Sequence, residues 1–403
     1  MRKVVASAIV VASAAALLAQ DGRLDYPQWR GVQRDGSASA FSTPRVWPPQ
    51  LRRRWKVEVG EGYSTPIVVG TTIYVFTRRD DNEVLSALDA NSGVERWRSS
   101  HPAPYTPGKP AAAHGAGPKA TPLFHNGRLF TLGISGIVTA FDAATGKRLW
   151  QTAPPAEPPY YGAASSPVGD GNIVMVNPGD YGPLTAFDTA TGAVKWTAGK
   201  GGFFASPIVT TLDGVRQVIA VTQGAIIGAS LPDGAVLWEV PWGGGNGGPT
   251  PVMAGDIVIV GGSDRGTVAF RPTKRGGTWT TQTVWETKDV SMYLSTPVVI
   301  DEALFGFSTR NSGQFFAIDI RSGKTLWLGP AREATNTAVA KSGRLLFFLK
   351  DDAQLIVAAG SRAGFEPAQR YTVADAATWA DPVLSGNRLF VKDVSSLTLW
   401  TMN

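Results

Sequence analysis

Short apolar runs broken by turn residues recur along most of the chain, a pattern that suits many brief strands joined by tight turns. From position 66 it predicts a strand over Pro66 to Val69, a turn at Gly70 to Thr72, and a second strand over Ile73 to Thr77. A loop, a third strand over Val84 to Leu88 and a fourth ending at Trp97 complete the unit. A segment of the form Ala-x-Asp-x-x-(Thr/Ser)-Gly-x-x-x-Trp then repeats at Ala87 to Trp97, Ala140 to Trp150, Ala186 to Trp196 and Ala317 to Trp327. A weaker copy runs from Ala229 through Asp233 and Gly234 to Trp238, and a stretched one from Ala269 to Trp285. In the seventh copy Tyr371 is expected in the place of the Trp.

With Trp55 included, the closing aromatics number eight, spaced by the roughly forty to fifty residues of a four-stranded propeller blade. A second marker agrees: Ser/Thr-Pro opens an apolar run at Thr65, Thr121, Ser166, Ser206, Thr250 and Thr296, with Thr337-Ala338 and Asp381-Pro382 as variants. The fold class is therefore all-β, an eight-bladed β-propeller of four-stranded antiparallel blades. The last unit runs out at Asn403 one strand short, and the segment around Trp55 is expected to supply that strand and close the ring, removing two sheet edges.

The repeat residues have structural work to do. Asp89, Asp142, Asp188 and Asp319 can accept bonds from their own backbone two residues on, while Gly93, Gly146, Gly192 and Gly323 supply positive φ in the same hairpins. Each indole (Trp97, Trp150, Trp196, Trp238, Trp285, Trp327) is expected to wedge between neighbouring blades, its N–H seeking an acceptor and the small Ala of the motif leaving it room.

Composition supports this reading, with 46 Gly, 28 Pro and 13 Trp in 403 residues and only 17% charged residues. Arg2 and Lys3 followed by an uncharged run from Val4 to Ala19 read as a signal peptide over 1–19, followed by an N-terminal extension over 20–50 and a single propeller domain over 51–403. An exported, periplasmic or otherwise extracytoplasmic protein follows. Without Arg2 and Lys3 the formal charge falls from +6 to +4 and the remaining bases are scattered, so nucleic acid is not an expected partner. Cysteine is absent, which removes disulfides, thiolate metal sites and a Cys lipid anchor, and a monomer held by packing alone is expected.

The motif resembles the repeat of the pyrroloquinoline-quinone-like propellers, over almost all of the chain beyond the expected signal. The opening Tyr26-Pro27-Gln28-Trp29-Arg30-Gly31 with Arg34-Asp35-Gly36 is similar to the start of a group of exported bacterial proteins related to the outer-membrane assembly-factor (BamB-like) branch. That branch implies a protein partner and no cofactor. The dehydrogenase branch implies pyrroloquinoline quinone with Ca²⁺ held by a Glu, Asn and Asp set, and often a disulfide of adjacent cysteines; this chain has no cysteine and no local cluster at calcium-ligand spacing.

In a propeller the loops entering the innermost strands open around the channel, and the positions just before each Ser/Thr-Pro marker are Tyr63, Lys119, Tyr161, Phe204, Asn246, Tyr293, Asn336 and Trp379. A Pro-rich insertion, His101 to Lys119, brings His114 to the same mouth, where it and Lys119 are expected to overhang the channel and could meet an anion. The glycine cluster Trp242 to Gly248 lacks a following helix and reads as a loop edge, not a phosphate cradle. The polar turns at Arg79 to Asn82, Asp264-Arg265, Arg310-Asn311 and Lys350 to Asp352 read as solvated charges on that face. His101, His114 and His125 should not converge, so no metal site is expected, and no catalytic set stands out. The leading expectation is a non-catalytic scaffold for protein or peptide partners, possible components of outer-membrane assembly. The alternatives are a quinone-dependent oxidoreductase and a carbohydrate-binding propeller.

Overall fold

The computed structural model describes residues 25–38, 41–180, 182–202, 204–243, 248–263 and 265–402. The expected signal, residues 1–19, and Asn246 lie outside the described residues. Eight four-stranded antiparallel sheets form the blades of a propeller. Blade 1 consists of Ile67–Val69, Thr72–Arg79, Asn82–Asp89 and Glu95–Pro102, and each later blade repeats that order outward from the channel. In blade 8 the chain's first strand, Arg52–Glu58, pairs with its last, Ser396–Thr401, and Trp55 stands opposite Leu399. The ring is thus closed by the segment predicted to close it.

Local chemistry accounts for the turns and joints. The Asp89 carboxylate accepts from the backbone N–H groups of Asn91 (3.0 Å) and Ser92 (2.9 Å), and Gly93 takes φ +73°. One residue before the Trp, the outermost strand carries a β-bulge in seven blades, as at Arg96 before Trp97. The extra residue twists the strand end, and in five of these blades the Trp stands opposite the motif's Ala, as Trp97 does opposite Ala87, while Trp238 faces Gly228 instead of Ala229 and Trp55 faces Leu399. For Trp55, Trp97, Trp150, Trp196 and Trp285 the indole then lies on the turn glycine of the next blade. A Cβ on Gly146 would come within 2.4 Å of Trp97, and one on Gly192 within 2.7 Å of Trp150. The turn glycines therefore serve twice, in backbone conformation and as flat seats for the preceding blade.

Indole N–H groups bridge the joints from Trp150 to Thr189 O (3.1 Å), Trp196 to Leu231 O (2.7 Å), Trp285 to Ile320 O (2.7 Å) and Trp327 to Ser361 O (2.8 Å). Trp238 packs into the next joint but donates to Gln217 Oε1 in its own blade (2.6 Å), because the long hairpin of blade 5, Gly266–Arg275 with Thr278–Thr287, offers no seat at that level. Apolar side chains collect at these joints, such as Val168, Met175 and Trp196 with Val218, Ala220 and Ile227 between blades 3 and 4.

Two expectations are corrected. In blade 7, Gln369 and not Tyr371 stands at the register of the Trp, opposite Val357, while Tyr371 pairs with Leu355. The Asp/Gly hairpin is missing from that unit, so spacing no longer reports register. Trp400 of blade 8 compensates by donating its indole N–H back to Val373 O (2.9 Å). The fourth strand of blade 1 also runs on to Pro102, so His101 belongs to the strand and not to the insertion; it is buried opposite Glu83, Nε2 lying 3.3 Å from Oε2.

Candidate functional site: a cup at the channel mouth

Each innermost strand is an edge facing the channel, and a proline at its start gives up an N–H that would have no partner there. The Ser or Thr before that proline is buried, and its role is circumferential. The N–H of Thr121 donates to Ser166 Oγ (3.0 Å), Ser166 to Ser206 (2.9 Å), Ser206 to Thr250 (3.0 Å) and Thr250 to Thr296 (3.1 Å). Asp381 continues the belt, its N–H donating to Thr65 Oγ1 (2.9 Å). This belt fixes the heights at which the preceding residues enter the mouth.

The stretch 25–38 closes the far end of the channel. Tyr26 exchanges backbone bonds with Val68, Pro27 accepts from Phe124, and Ala38 donates to Lys341 O, so the segment crosses the channel from blades 1 and 2 to blade 7. Two buried arginines bolt it in place. Arg30 donates to the carbonyls of Thr296 (3.1 Å), Pro297 (2.6 Å) and Val339 (3.0 Å), and Arg34 to those of Ser166 (3.1 Å) and Pro167 (2.8 Å). Their guanidinium carbons lie 5.5 and 5.9 Å from the ring of Trp29, which forms the floor of the remaining space.

What remains is a blind cup of about 420 Å³. Of the residues expected at the mouth, Tyr63, His114, Lys119, Tyr161, Phe204, Tyr293, Asn336 and Trp379 all line it. Tyr63, His114 and Trp379 pack as one wall, with ring centroids 4.5 Å apart for His114 and Trp379 and 6.0 Å for His114 and Tyr63. Tyr161 and Phe204, 5.8 Å apart, stand across from it. The insertion lies over part of the opening, tied to blade 1 where Pro118 O accepts from Tyr63 and Ser64, and to blade 3 where Gly108 donates to Tyr160 O. Its short helix Lys109–His114 places Pro110, Ala111 and His114 on the cup wall.

Lys119 and His114 do not overhang the mouth freely. The Lys119 ammonium donates to Tyr161 O (2.7 Å), and burial pushes it down to about 8 against the pull of Asp180. Burial, and then the neighbouring Lys119, hold the His114 imidazole below its ordinary value. At the other side Asp381 lines the cup while its Oδ2 atom is buried without a hydrogen-bond partner. Burial pushes this carboxyl up to about 6, with Arg30 acting in the opposite direction.

Asp381, Trp29, Arg30 and Arg34 were not among the expected site residues. Asp381 had a signal, being the single acid in the Ser/Thr marker position; the two arginines were legible only as a family-like opening. His125 sits at a first hairpin turn, its Nε2 2.9 Å from Gly171 O and away from the cup. Among the described residues no three His, Asp or Glu side chains come together as a metal site. Calcium takes roughly six to eight oxygen ligands with several carboxylates. Among the described residues the cup offers one carboxylate, and its one ammonium is already bonded to a carbonyl, so these donors do not fit the quinone and calcium pair of the dehydrogenases.

The chain is a closed eight-bladed propeller with residues 25–38 across one end of its channel and an aromatic cup at the other. The family described as outer membrane protein assembly factor BamB matches residues 80–329, and the chain belongs to that family. The BamB of Yersinia pestis is 27% identical over 269 residues, covering 60% of this chain and 64% of the relative, so the chain spans less than two thirds of that protein's length. In fold it is similar to BamB from Moraxella catarrhalis (TM-score 0.63, 17% identity, 87% of this chain and 97% of that one). It is also similar to the quinohemoprotein alcohol dehydrogenase ADHIIG of Pseudomonas putida HK5 (TM-score 0.69, 13% identity, 99% and 82%).

Proposed function

We propose that the protein is an exported, non-catalytic scaffold that binds a protein or peptide partner through the loop face around the cup. The observation that carries this reading is the one-sided channel: residues 25–38 cross one end, and exposed rings stand at the other, Tyr293 on the cup at 40% exposure and Tyr160 at 49%, its ring centroid 5.0 Å from that of the lining Tyr161. Aromatic side chains of this kind are the usual anchors of protein interfaces. The assembly-factor relatives point to an unfolded outer-membrane polypeptide, or another assembly component, as the partner. Extracytoplasmic placement rests on the expected signal and belongs to the same proposal. A urea-unfolded outer-membrane β-barrel chain carrying a fluorophore provides the test, with anisotropy as the readout. Replacing Tyr160 and Tyr293 by Ala together should weaken binding by about tenfold or more. Unchanged affinity in that double variant, or no binding by the parent protein, rejects the loop face as the docking surface.

A further inference from the structure

We infer that the cup itself binds a small neutral ligand of the sugar class, a pyranose ring held between aromatic faces with its hydroxyls against Asp381 and the Ser/Thr belt. This goes beyond the scaffold reading and does not rest on it. At about 420 Å³ the cup falls within the roughly 300–1,000 Å³ of small-ligand sites, and its floor is closed. A polypeptide segment could enter but not pass through.

The lining alternates two chemistries. Trp29 below and Tyr63, Trp379 and Tyr161 on the walls supply aromatic surface, while Ser166, Ser206, Thr296 and Asn336 add hydroxyl and amide groups to the same lining. A sugar ring matches this division, with C–H faces for the rings and an equator of hydroxyls that donate and accept. The hydroxyls of Ser166, Ser206 and Thr296 each already accept a backbone N–H and keep their own O–H to donate, so an apolar side chain would leave chiefly Asp381 Oδ2 unpaired, at about 1–3 kcal/mol. A polyanion is disfavoured as well, because Lys119 is committed to Tyr161 O and the Asp381 carboxyl lines the cup.

Asp381 is the strongest pointer. Six of the eight marker positions carry Ser or Thr followed by Pro, and a seventh carries Thr337 followed by Ala; only this one carries an acid. The belt does not need the carboxyl, since the bond to Thr65 is made by the backbone N–H of residue 381. A buried carboxylate oxygen lacking a donor is costly, and ligand hydroxyls around the group would supply charge-assisted bonds.

The test uses the full chain and a panel of methyl pyranosides (gluco, galacto, manno and N-acetylglucosamine forms), read by saturation-transfer NMR and by the fluorescence of the two lining tryptophans. Oligosaccharides ending in the same rings separate a free sugar from a glycan terminus. At least one pyranoside should receive saturation. Asp381→Ser, which restores the side chain used elsewhere in the belt, should weaken its binding about tenfold to a hundredfold. Ala164→Phe fills the cup without removing a polar group and should abolish binding. No saturation of any pyranoside by the folded parent overturns the inference, and so does affinity unchanged in both variants. Loss in Ala164→Phe alone would keep the cup as the site and overturn the role of Asp381. Polypeptide binding on the rim is measured separately, so failure of one reading leaves the other standing.

Discussion

Gly171 and Gly192 of blade 3 share a left-handed backbone, at φ +55° and +76°, and differ in what stands over them. A Cβ on Gly171 would meet nothing within 4 Å, whereas one on Gly192 would lie 2.7 Å from Trp150 Cδ2 and 2.8 Å from Cε3. Replacing Gly171 by Ala should cost the backbone term alone, about 1–2 kcal/mol. At Gly192 the same term is joined by overpacking against the indole, about 1–3 kcal/mol, for a total of about 2–5 kcal/mol. Guanidinium denaturation of both variants, compared at unchanged m, reads the difference directly. In a Trp150→Ala background the excess at Gly192 should vanish, a coupling of about 1–3 kcal/mol in the double-mutant cycle. Equal losses at the two glycines, or additivity in the cycle, would refute the idea that turn glycines act as seats between blades.

Arg30→Ala should cost about 3 kcal/mol or more by stranding three buried carbonyls, at about 1–3 kcal/mol each, and limited proteolysis should then cut within 25–38 before the blades; blades and segment cleaved together would contradict the bolt. The Asp381 carboxyl, held near 6 against an ordinary 3.8, binds its proton more tightly when folded, so its contribution to stability falls as pH rises from about 4 through 6. Asp381→Ser should remove that decline and be more stable at pH 7 by at most about 3 kcal/mol, read from melting curves across pH. Asp89 behaves with the opposite sign: Arg96 first, and then the Ser92 N–H, hold it down to about 2, so its contribution is present above pH 4 and is lost as pH falls toward 2. Asp89→Asn should therefore flatten the acid limb of the same curves, and an unchanged limb would show that the pair is idle.

Some residues announced their neighbours and others did not. Trp97, Trp150 and Trp196 stand where the Asp-to-Trp interval places them, because hairpin, bulge and ring position are set within about a dozen residues. Tyr371 failed as a guide for the same reason: once the turn of blade 7 lost its Asp and Gly, the interval no longer counted register, and Gln369 took the place. The mouth residues Tyr63 to Trp379 were legible from the Ser/Thr-Pro markers, since closing the ring brings equivalent positions around one axis. His101 was misread because no local signal says how far a strand continues once it has a partner; Glu83 opposite it supplied the reason.

The chain's own periodicity determined the number of blades, their turns and the circle of positions around the channel, all of which arise from contacts between near neighbours in sequence. Only the assembled wheel decided that 25–38 would be its cork, that Arg30 would reach Thr296, 266 residues away, and that Asp381 would be left at the cup with an oxygen lacking a partner. Such contacts form where segments from all around the ring converge on one axis, and no local spacing encodes what a side chain meets there.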